Sequence, residues 1–395
     1  MKPLAITAST LVNACSVGWA EFGDALVTGR SGLRRNDFAP AAMLETFIGR
    51  VEAVDTHDLP ARHAMFDCRA ARLVHLALEQ DGFIAKVTRA RERYGAHRIG
   101  VFVGTSTSGI LSTETTVREA SRDARVPQFP PTFYAGRHSM YALARLVRAH
   151  LGLAGVAQAI STACSSSAKV FGAASRAIEA GLCDAGVVGG ADSLALSTLH
   201  GFRALGLLSP QACRPCDASR DGISIGEAAG FALLERDADA AVHVSGVGES
   251  ADAWHMSTPH PEGAGALRAM RAALTAARID AKDVGYVNLH GTGTVINDAA
   301  EDKAVSAALP HRPPVSSTKG YTGHALGAAG IVEVLVTAFA LTRQWIPGTL
   351  GCREVDAALA SSVVLDSCDA TIAHAISNSF GFGGNNCSVL LSRAS

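Results

Sequence analysis

Residues 159–168 read Ala-Ile-Ser-Thr-Ala-Cys-Ser-Ser-Ser-Ala, an apolar strand that passes through small residues into a helix next to Cys164. A thiol at a helix N-terminus lies beside unpaired N–H groups and the positive end of the helix dipole, which favours the thiolate. The small neighbours leave space for a substrate. This stretch favours a cysteine nucleophile on a strand-to-helix turn, and the alternative is a buried structural cysteine, a common fate of this residue.

Outward from this turn, short β-leaning segments alternate with Ala-rich helical segments, the pattern of an α/β protein with buried sheets. The 39 glycines cluster at the joins, as sharp strand-to-helix turns require. The predicted strands are 98–105, 158–162, 185–190, 231–234, 242–247, 284–289, 315–318, 363–365, 373–377 and 388–391. The predicted helices include 167–180, 265–277, 298–307 and 328–342.

The sequence carries a weak internal repeat. A Gly-rich turn leads into an apolar strand at residues 226–234 and again at residues 379–391. No long Pro-, Ser- or Gly-rich linker divides the chain, so the repeat indicates two similar halves rather than flexible domains. We predict an N-terminal half, residues 1–245, that carries Cys164, and a C-terminal half, residues 246–395.

Composition excludes several classes of protein. The 395 residues hold 35 Lys and Arg against 36 Asp and Glu, and this near-zero net charge argues against a broad nucleic-acid surface. Nine scattered cysteines, an odd number, suit a reduced cytosolic protein better than a disulfide scaffold. No run of about 20 apolar residues predicts a membrane span. The charge-free run 3–20 is read as a first strand and loop, and an export signal is the alternative.

Three further segments carry residues with catalytic chemistry. Residues 288–294 place His290 after a strand, and residues 317–324 place Lys319 and His324 in a loop before a helix. Residues 378–386 read Asn-Ser-Phe-Gly-Phe-Gly-Gly-Asn-Asn, glycines that suit a backbone bent to aim N–H groups into an oxyanion hole. Each histidine alone is more often a satisfied polar residue, yet strand ends are where α/β proteins place their sites.

Taken in order, these four motifs resemble the elongating β-ketoacyl-[acyl carrier protein] synthases, and the match also covers 190–193, 214–222 and 323–333. The resemblance spans essentially the whole chain. It implies an α/β protein with the thiolase-like duplicated five-layer α/β/α/β/α fold, usually dimeric. The paired histidines distinguish it from initiating synthases, which use Cys-His-Asn, and from thiolases, which use a second cysteine.

The resemblance implies a role for each motif residue. Cys164 takes an acyl chain as a thioester, His290 and His324 hold the malonyl thioester oxygen during decarboxylation, and Lys319 supports His324. The backbone N–H groups of Cys164 and Phe382 form the oxyanion hole. By the same resemblance, further roles fall to the phosphopantetheine-binding Thr292 and Thr294, the acyl-pocket residues Thr107, Phe202, Phe380 and Phe382, and the structural carboxylate Glu333.

The expected function is extension of a fatty-acid, polyketide or polyene chain by two carbons with loss of carbon dioxide. The resemblance implies no metal or nucleotide cofactor, because acyl carrier protein brings the substrates on its phosphopantetheine. Arg62, Arg69 and Arg72 are weak candidates for contacting that carrier, and a homodimer or a heterodimer with a homologous ketosynthase-like chain is expected in the cytoplasm. The lone Cys213-x-x-Cys216 pair does not predict a metal site.

Two other functions remain as alternatives. One is a non-catalytic, chain-length-type partner subunit of a ketosynthase heterodimer, although such subunits typically lack the nucleophile. The other is a thiol hydrolase, which needs a base beside the thiol and a path for water but no second histidine with its lysine.

Overall fold

The computed structural model describes residues 1–394, without the side chain of Pro40. The strands are β1 (Leu4–Asn13), β2 (Ser16–Val17), β3 (Leu33–Arg35), β4 (Phe47–Gly49), β5 (Ile99–Gly104), β6 (Ala157–Ile160), β7 (Ala185–Asp192), β8 (Ile225–Gly226), β9 (Ala228–Glu235), β10 (Val242–Ala251), β11 (Val284–Asn288), β12 (Pro314–Ser316), β13 (Trp345–Ile346), β14 (Ser362–Val363), β15 (Cys368–Asp369), β16 (His374–Gly381) and β17 (Asn385–Arg393). The helices are α1 (Trp19–Thr28), α2 (Arg69–Leu78), α3 (Phe83–Tyr94), α4 (Ile110–Arg122), α5 (Tyr141–His150), α6 (Ser166–Glu179), α7 (Leu196–Ala204), α8 (Ala264–Ala277), α9 (Val295–Ala308), α10 (Lys319–Thr322) and α11 (Ala329–Arg343).

The main sheet is built twice from the same strand order. One half runs β6-β5-β7-β9-β1 and the other runs β12-β11-β16-β17-β10, with β14 added at its edge. In each half the first three strands are parallel and the last two antiparallel. Antiparallel pairing of β1 with β10, Leu4 opposite Val244, joins the halves. The chain is therefore a structural duplication.

Helices complete five layers around the two half-sheets. Helices α6 and α11 contact each other, and each also contacts strands of both half-sheets, so they form the middle layer. Helices α2, α3 and α5 cover the outer face of the first half-sheet, and α8 and α9 cover the outer face of the second. The thiolase-like duplicated five-layer α/β/α/β/α fold is thus present.

Small residues make the middle layer possible. A Cβ on Gly330 of α11 would lie 2.6 Å from the backbone nitrogen of Ala168 in α6, which is closer than side chains pack. Nearly all of α6 is buried, including Ser166, Ser167 and Ser175. Two helices can therefore lie back to back between the sheets because their contact face carries almost no side-chain bulk.

The predicted strands and helices are confirmed, with ends that differ by a few residues. The N-terminal run is confirmed as a strand, since β1 pairs with both β9 and β10 inside the sheet. The predicted boundary at residue 245 stays a prediction, and β10 runs across it. The segment Leu326–Arg343 is apolar and long enough to cross a membrane, but 83 % of it is buried inside the protein, as befits a core helix.

Candidate active site

Cys164 lies on a tight turn between β6 and α6. Ala163, directly before it, adopts a left-handed φ of +52°, an uncommon conformation for a residue with a side chain. The turn is closed by Ser166, whose hydroxyl donates to the Ala163 carbonyl (2.6 Å) and accepts from the Thr162 N–H (2.9 Å). This backbone reversal turns the Cys164 side chain out of the helix and into a cavity.

The structure brings Cys164, His290 and His324 together. Cys164 Sγ lies 3.0 Å from His324 Nε2, and the two imidazole rings meet edge to face with centroids 5.2 Å apart. One ligand atom from each of the three side chains falls within 4.8 Å of the others. A single small substrate group can therefore touch all three at once.

The ring environments orient both histidines as N–H donors. His324 Nδ1 accepts the Leu326 N–H (3.2 Å), so the proton of the neutral ring resides on Nε2, the nitrogen beside Cys164. His290 Nδ1 lies 3.5 Å from the Lys319 ammonium. Burial, and then the charge of Lys319, hold the pKa of each imidazole well below its ordinary value. Both rings are neutral donors into the cavity.

Lys319 contacts His290 rather than His324. Its Nζ donates to the His290 carbonyl oxygen and pairs with the Glu333 carboxylate, and all three residues are buried. Lys319 therefore contacts His290, and its predicted support of His324 is electrostatic, because its charge lowers the pKa of that ring. Burial raises the pKa of Glu333 to about 7, against the opposing charge of Lys319.

The surroundings of Cys164 oppose the thiolate that a helix N-terminus by itself favours. Burial raises the pKa of the thiol to about 12, and the charge of Lys319 and a hydrogen bond from the Phe382 N–H only partly oppose that rise. Loss of solvation penalises the charged sulfur more than a helix end two residues away favours it. The free protein therefore holds a protonated thiol at neutral pH.

The Gly-rich end of β16 closes over the nucleophile. A Cβ on Gly381 would lie 2.9 Å from the Thr162 carbonyl oxygen and 3.1 Å from the Cys164 nitrogen, so only glycine lets this strand approach the turn. That approach lets the Phe382 N–H donate a hydrogen bond to the Cys164 sulfur. The Phe382 ring stacks on Phe202 with centroids 5.3 Å apart.

Two carboxylates that the sequence reading missed shape the His290 loop. Glu301 accepts the N–H groups of His290 and Gly291, each at 2.8 Å, and Asp298 accepts that of Thr292 at 3.0 Å. Both lie on α9, three residues apart and thus on one helix face. That spacing, directly after the loop, is the signal that could have identified them.

The cavity has a volume of about 200 Å³. Besides the three central side chains, the expected site residues that line it are Phe202, Phe380, Phe382, Thr292 and Thr294. The expected acyl-pocket residue Thr107 does not line it. Instead, the Thr107 hydroxyl donates to buried Asp192 (2.8 Å), a carboxylate that also accepts from Thr105, Ser106 and the Gly327 N–H.

The proposed carrier-binding arginines do not form a free patch. Arg69 is only 12 % exposed and its guanidinium pairs with Glu227 (2.5 Å) and with Asp55. Arg72 pairs with Asp67 (2.6 Å), whereas Arg62 is exposed to solvent. Arg69 is therefore a structural residue, because its charge is paired with carboxylates of the same chain.

The duplicated five-layer fold, with a cysteine and two histidines facing one cavity, defines a thiolase-like architecture. Models of the β-ketoacyl synthase N-terminal and C-terminal domains match residues 1–240 and 241–353. The chain therefore belongs to the β-ketoacyl synthase family.

Individual relatives agree with that assignment. The chain is 35 % identical to 3-oxoacyl-[acyl-carrier-protein] synthase 2 of Vibrio cholerae over 88 % of this chain and 92 % of the relative. It superposes on a chain of the complex between the ketosynthase ApeO and its chain length factor ApeC from Xenorhabdus doucetiae with a TM-score of 0.89, 35 % identity, and coverage of 100 % and 98 %. A β-ketoacyl synthase from Burkholderia phymatum gives a TM-score of 0.88 at 30 % identity, with full coverage of both chains.

Proposed function

We propose that this chain is an elongating β-ketoacyl-[acyl carrier protein] synthase that loads an acyl group onto Cys164 and condenses it with a malonyl unit. The observation that carries the proposal is the 3.0 Å approach of Cys164 Sγ to His324 Nε2, with His290 beside them in the same cavity. The Vibrio cholerae relative, named for the same reaction, supports it.

Acyl loading is a thioester exchange. The Cys164 sulfur attacks the carbonyl carbon of an acyl chain that acyl carrier protein presents on its phosphopantetheine. The new sulfur–carbon bond forms, the pantetheine sulfur leaves, and the thiol proton ends on that leaving sulfur, so no co-reactant is needed. The N–H groups of Cys164 and Phe382 stabilise the oxyanion of the tetrahedral intermediate.

Condensation uses the two neutral imidazoles. Their Nε2–H groups donate to the thioester oxygen of malonyl carrier protein, so carbon dioxide leaves and the electron pair is held as an enolate. The enolate carbon attacks the Cys164 thioester, the sulfur leaves and takes up a solvent proton, and a β-ketoacyl chain two carbons longer results. Lys319 keeps His290 neutral and oriented, and Glu333 keeps Lys319 paired.

The Thr292 and Thr294 hydroxyls, 2.9 Å apart, line the cavity and suit the amide groups of the phosphopantetheine arm. Phe202, Phe380 and Phe382 supply apolar surface for the acyl chain. A metal or nucleotide takes no part in this reaction. The carrier protein is the expected partner, and the site of action is the cytoplasm.

Assembly with a second ketosynthase-like chain, identical or homologous, is part of the proposal. Strand β6 lies at an open edge of the main sheet, where unpaired backbone groups can extend the sheet into another copy. The similarity to the ApeO–ApeC complex supports a homologous partner. A non-catalytic chain-length role for this chain is not favoured, because Cys164, His290, Lys319 and His324 are all present.

The decisive experiment supplies acyl carrier protein bearing an acyl group together with malonyl carrier protein and follows both carriers by intact-protein mass spectrometry. The wild-type chain should form the β-ketoacyl carrier, and Cys164→Ala should not. Exposed Cys368→Ala is the matched control and should retain activity. Undiminished product from Cys164→Ala would reject the nucleophile assignment.

A second variant isolates the histidines. Cys164→Gln, whose amide mimics an acylated cysteine, should still release carbon dioxide from malonyl carrier protein while forming no condensed product. Absence of carbon dioxide release from this variant would contradict the role of His290 and His324. Trapping of the acyl group on Cys164 during turnover identifies the chain length and starter, and so separates fatty-acid from polyketide or polyene substrates.

A further inference from the structure

Outside the catalytic cavity, four histidines and one carboxylate form a contiguous cluster. The histidine cluster consists of His57, His63, His75, His150 and Glu79. Its members come from the C-terminal ends of α2 and α5 and from the segments around two 3-10 helices, Glu52–Asp55 and Ala61–Phe66. None of these elements lines the catalytic cavity.

The inner three members have the spacing of a metal-ligand set. His75 and Glu79 lie one helical turn apart, with the Glu79 N–H donating to the His75 carbonyl, so both side chains share a face. Glu79 Oε1 lies 3.6 Å from His75 Nε2 and 3.1 Å from His150 Nε2, and the three atoms all fall within 4.8 Å of one another. Two ligand atoms that each lie about 2.0–2.1 Å from a tetrahedral Zn²⁺ are separated by about the two distances that involve Glu79.

The outer two histidines orient the inner two. His75 Nδ1 lies 2.8 Å from His57 Nε2, and His150 Nδ1 lies 3.3 Å from His63 Nε2. When each Nδ1–H donates to its outer partner, each inner Nε2 is left with a free lone pair. Metal-binding imidazoles in proteins are held in this manner, through a hydrogen bond made by the nitrogen that does not bind the metal.

The two inner nitrogens are also buried and face the same carboxylate. His75 Nε2 and His150 Nε2 both lie within ion-pair distance of Glu79 Oε1, and their side chains are only 8 % and 3 % exposed. Two neutral imidazole nitrogens and one carboxylate oxygen that converge in this way can share a cation. The C-terminal, negative ends of two ten-residue helices also converge there, which favours a cation.

We propose that His75, His150 and Glu79 bind a divalent transition-metal ion with the preferences of Zn²⁺, and that the ion clamps the end of α2 to the end of α5. Imidazole and carboxylate ligands select Zn²⁺ and its neighbours over Mg²⁺ or Ca²⁺, which take oxygen ligands. Three protein ligands leave one position for water, and Glu79, 43 % exposed, provides the path of entry. The site stabilises the fold and takes no part in condensation.

The test must separate this site from the catalytic one, because Cys164, His290 and His324 form a second trio with ligand atoms within 4.8 Å. Full-length Cys164→Ala protein, freed of metal by chelator and dialysed, is therefore titrated with Co²⁺ and then with Zn²⁺. One Co²⁺ per chain should bind with visible absorption of a four-coordinate nitrogen–oxygen site, and Zn²⁺ should displace it. Zn²⁺ should also raise the Tm of this protein.

Two ligand variants and one control decide the outcome. In the Cys164→Ala background, Glu79→Gln and His75→Ala should each lower the affinity for Zn²⁺ at least tenfold, as removal of a ligand or its support does. His97→Ala, at an exposed histidine outside the cluster, should bind as the parent does. Glu79→Gln is isosteric at a half-exposed position, so it reports on binding even if His75→Ala does not fold. No Co²⁺ or Zn²⁺ binding by the parent, or equal binding by Glu79→Gln, overturns the proposal.

Discussion

The two halves of the duplicated fold place different chemistry at equivalent junctions. In the first half, Cys164 and the buried helix α6 follow β6, which is the third of the five half-sheet strands in chain order. After β12, the equivalent strand in the second half, come Lys319, His324 and the buried helix α11. The first half thus supplies an uncharged sulfur, and the second half supplies a charged pair, Lys319 with Glu333, and a ring that donates a hydrogen bond.

The loops that follow β5 in the first half and β11 in the second half differ in the same way. In the first half, the segment after β5 is tied down by Asp192 and offers no side chain to the cavity. In the second half, the segment after β11 is tied down by Glu301 but presents His290 to the cavity. The two sets of strand ends thus face each other across one cavity, with the sulfur on one side and the two imidazoles on the other.

The largest expected effect is on stability, at the charged pair of the second half. Glu333→Ala leaves the buried Lys319 ammonium unpaired, which should lower the free energy of unfolding by about 3–5 kcal/mol. The matched change in the first half is Asp184→Ala, which breaks the Arg98–Asp184 pair, about 40 % exposed on both sides, and should cost far less stability because solvent screens the pair. Urea denaturation measures both, and equal losses would show that burial does not distinguish the pairs.

The next effect falls on condensation. His290→Ala and His324→Ala should each reduce the rate of condensation by about 10²–10³-fold, the usual cost of one oxyanion donor. Both variants should still accept an acyl group on Cys164, as detected by intact-protein mass spectrometry. Loss of acylation in His324→Ala would mean that this ring serves the thiol of the first half rather than the enolate.

A third effect concerns the pH dependence of the nucleophile. Because the pKa of the Cys164 thiol is raised to about 12, the thiolate fraction should grow about tenfold per pH unit from pH 7 to pH 9. Alkylation of Cys164 by iodoacetamide, resolved by peptide mass spectrometry, should rise accordingly without a plateau. Exposed Cys368 is the internal reference. A Cys164 rate that is constant over this range would show that the helix dipole outweighs burial.

The smallest expected effect concerns the N-terminal cap of the helix that follows β11, which the helix that follows β5 lacks. Helix α9 is capped by the Thr294 hydroxyl, which accepts from the Asn297 N–H, whereas α4 in the first half starts at Gly109 without a side-chain cap. Thr294→Val should cost about 1 kcal/mol of stability and raise the KM for malonyl carrier protein, and Thr294→Ser should restore both. An unchanged KM in Thr294→Val would remove the proposed contact with phosphopantetheine.

Local patterns predicted the strands and helices correctly. Glycine-flanked strand ends and Ala-rich helices are local signals, and β5, β7, α6 and α11 lie where they were predicted. Local patterns do not predict contacts between residues that are distant in sequence. Thr107 bonds Asp192, 85 residues away, and Lys319 contacts His290, 29 residues away. The burial that raises the thiol pKa comes from both halves.

The histidine cluster likewise depends on contacts between segments that are distant in sequence. Its proposed ligands lie at positions 75, 79 and 150, and the outer histidines lie at 57 and 63. That spacing matches no compact metal motif, so the sequence predicted no metal. Only the packing of α2 against α5 brings the rings together.

By itself, the amino-acid sequence determined the order of strands and helices, the family, and the residue types available for chemistry, because these depend on periodicity, turn residues and short motifs. The tertiary structure alone decided the tautomers of the two rings, the partner of Lys319 and the protonation of the sulfur. Solvation and hydrogen bonding at a buried atom are set by every group that packs around it, and those groups come from segments far apart along the chain.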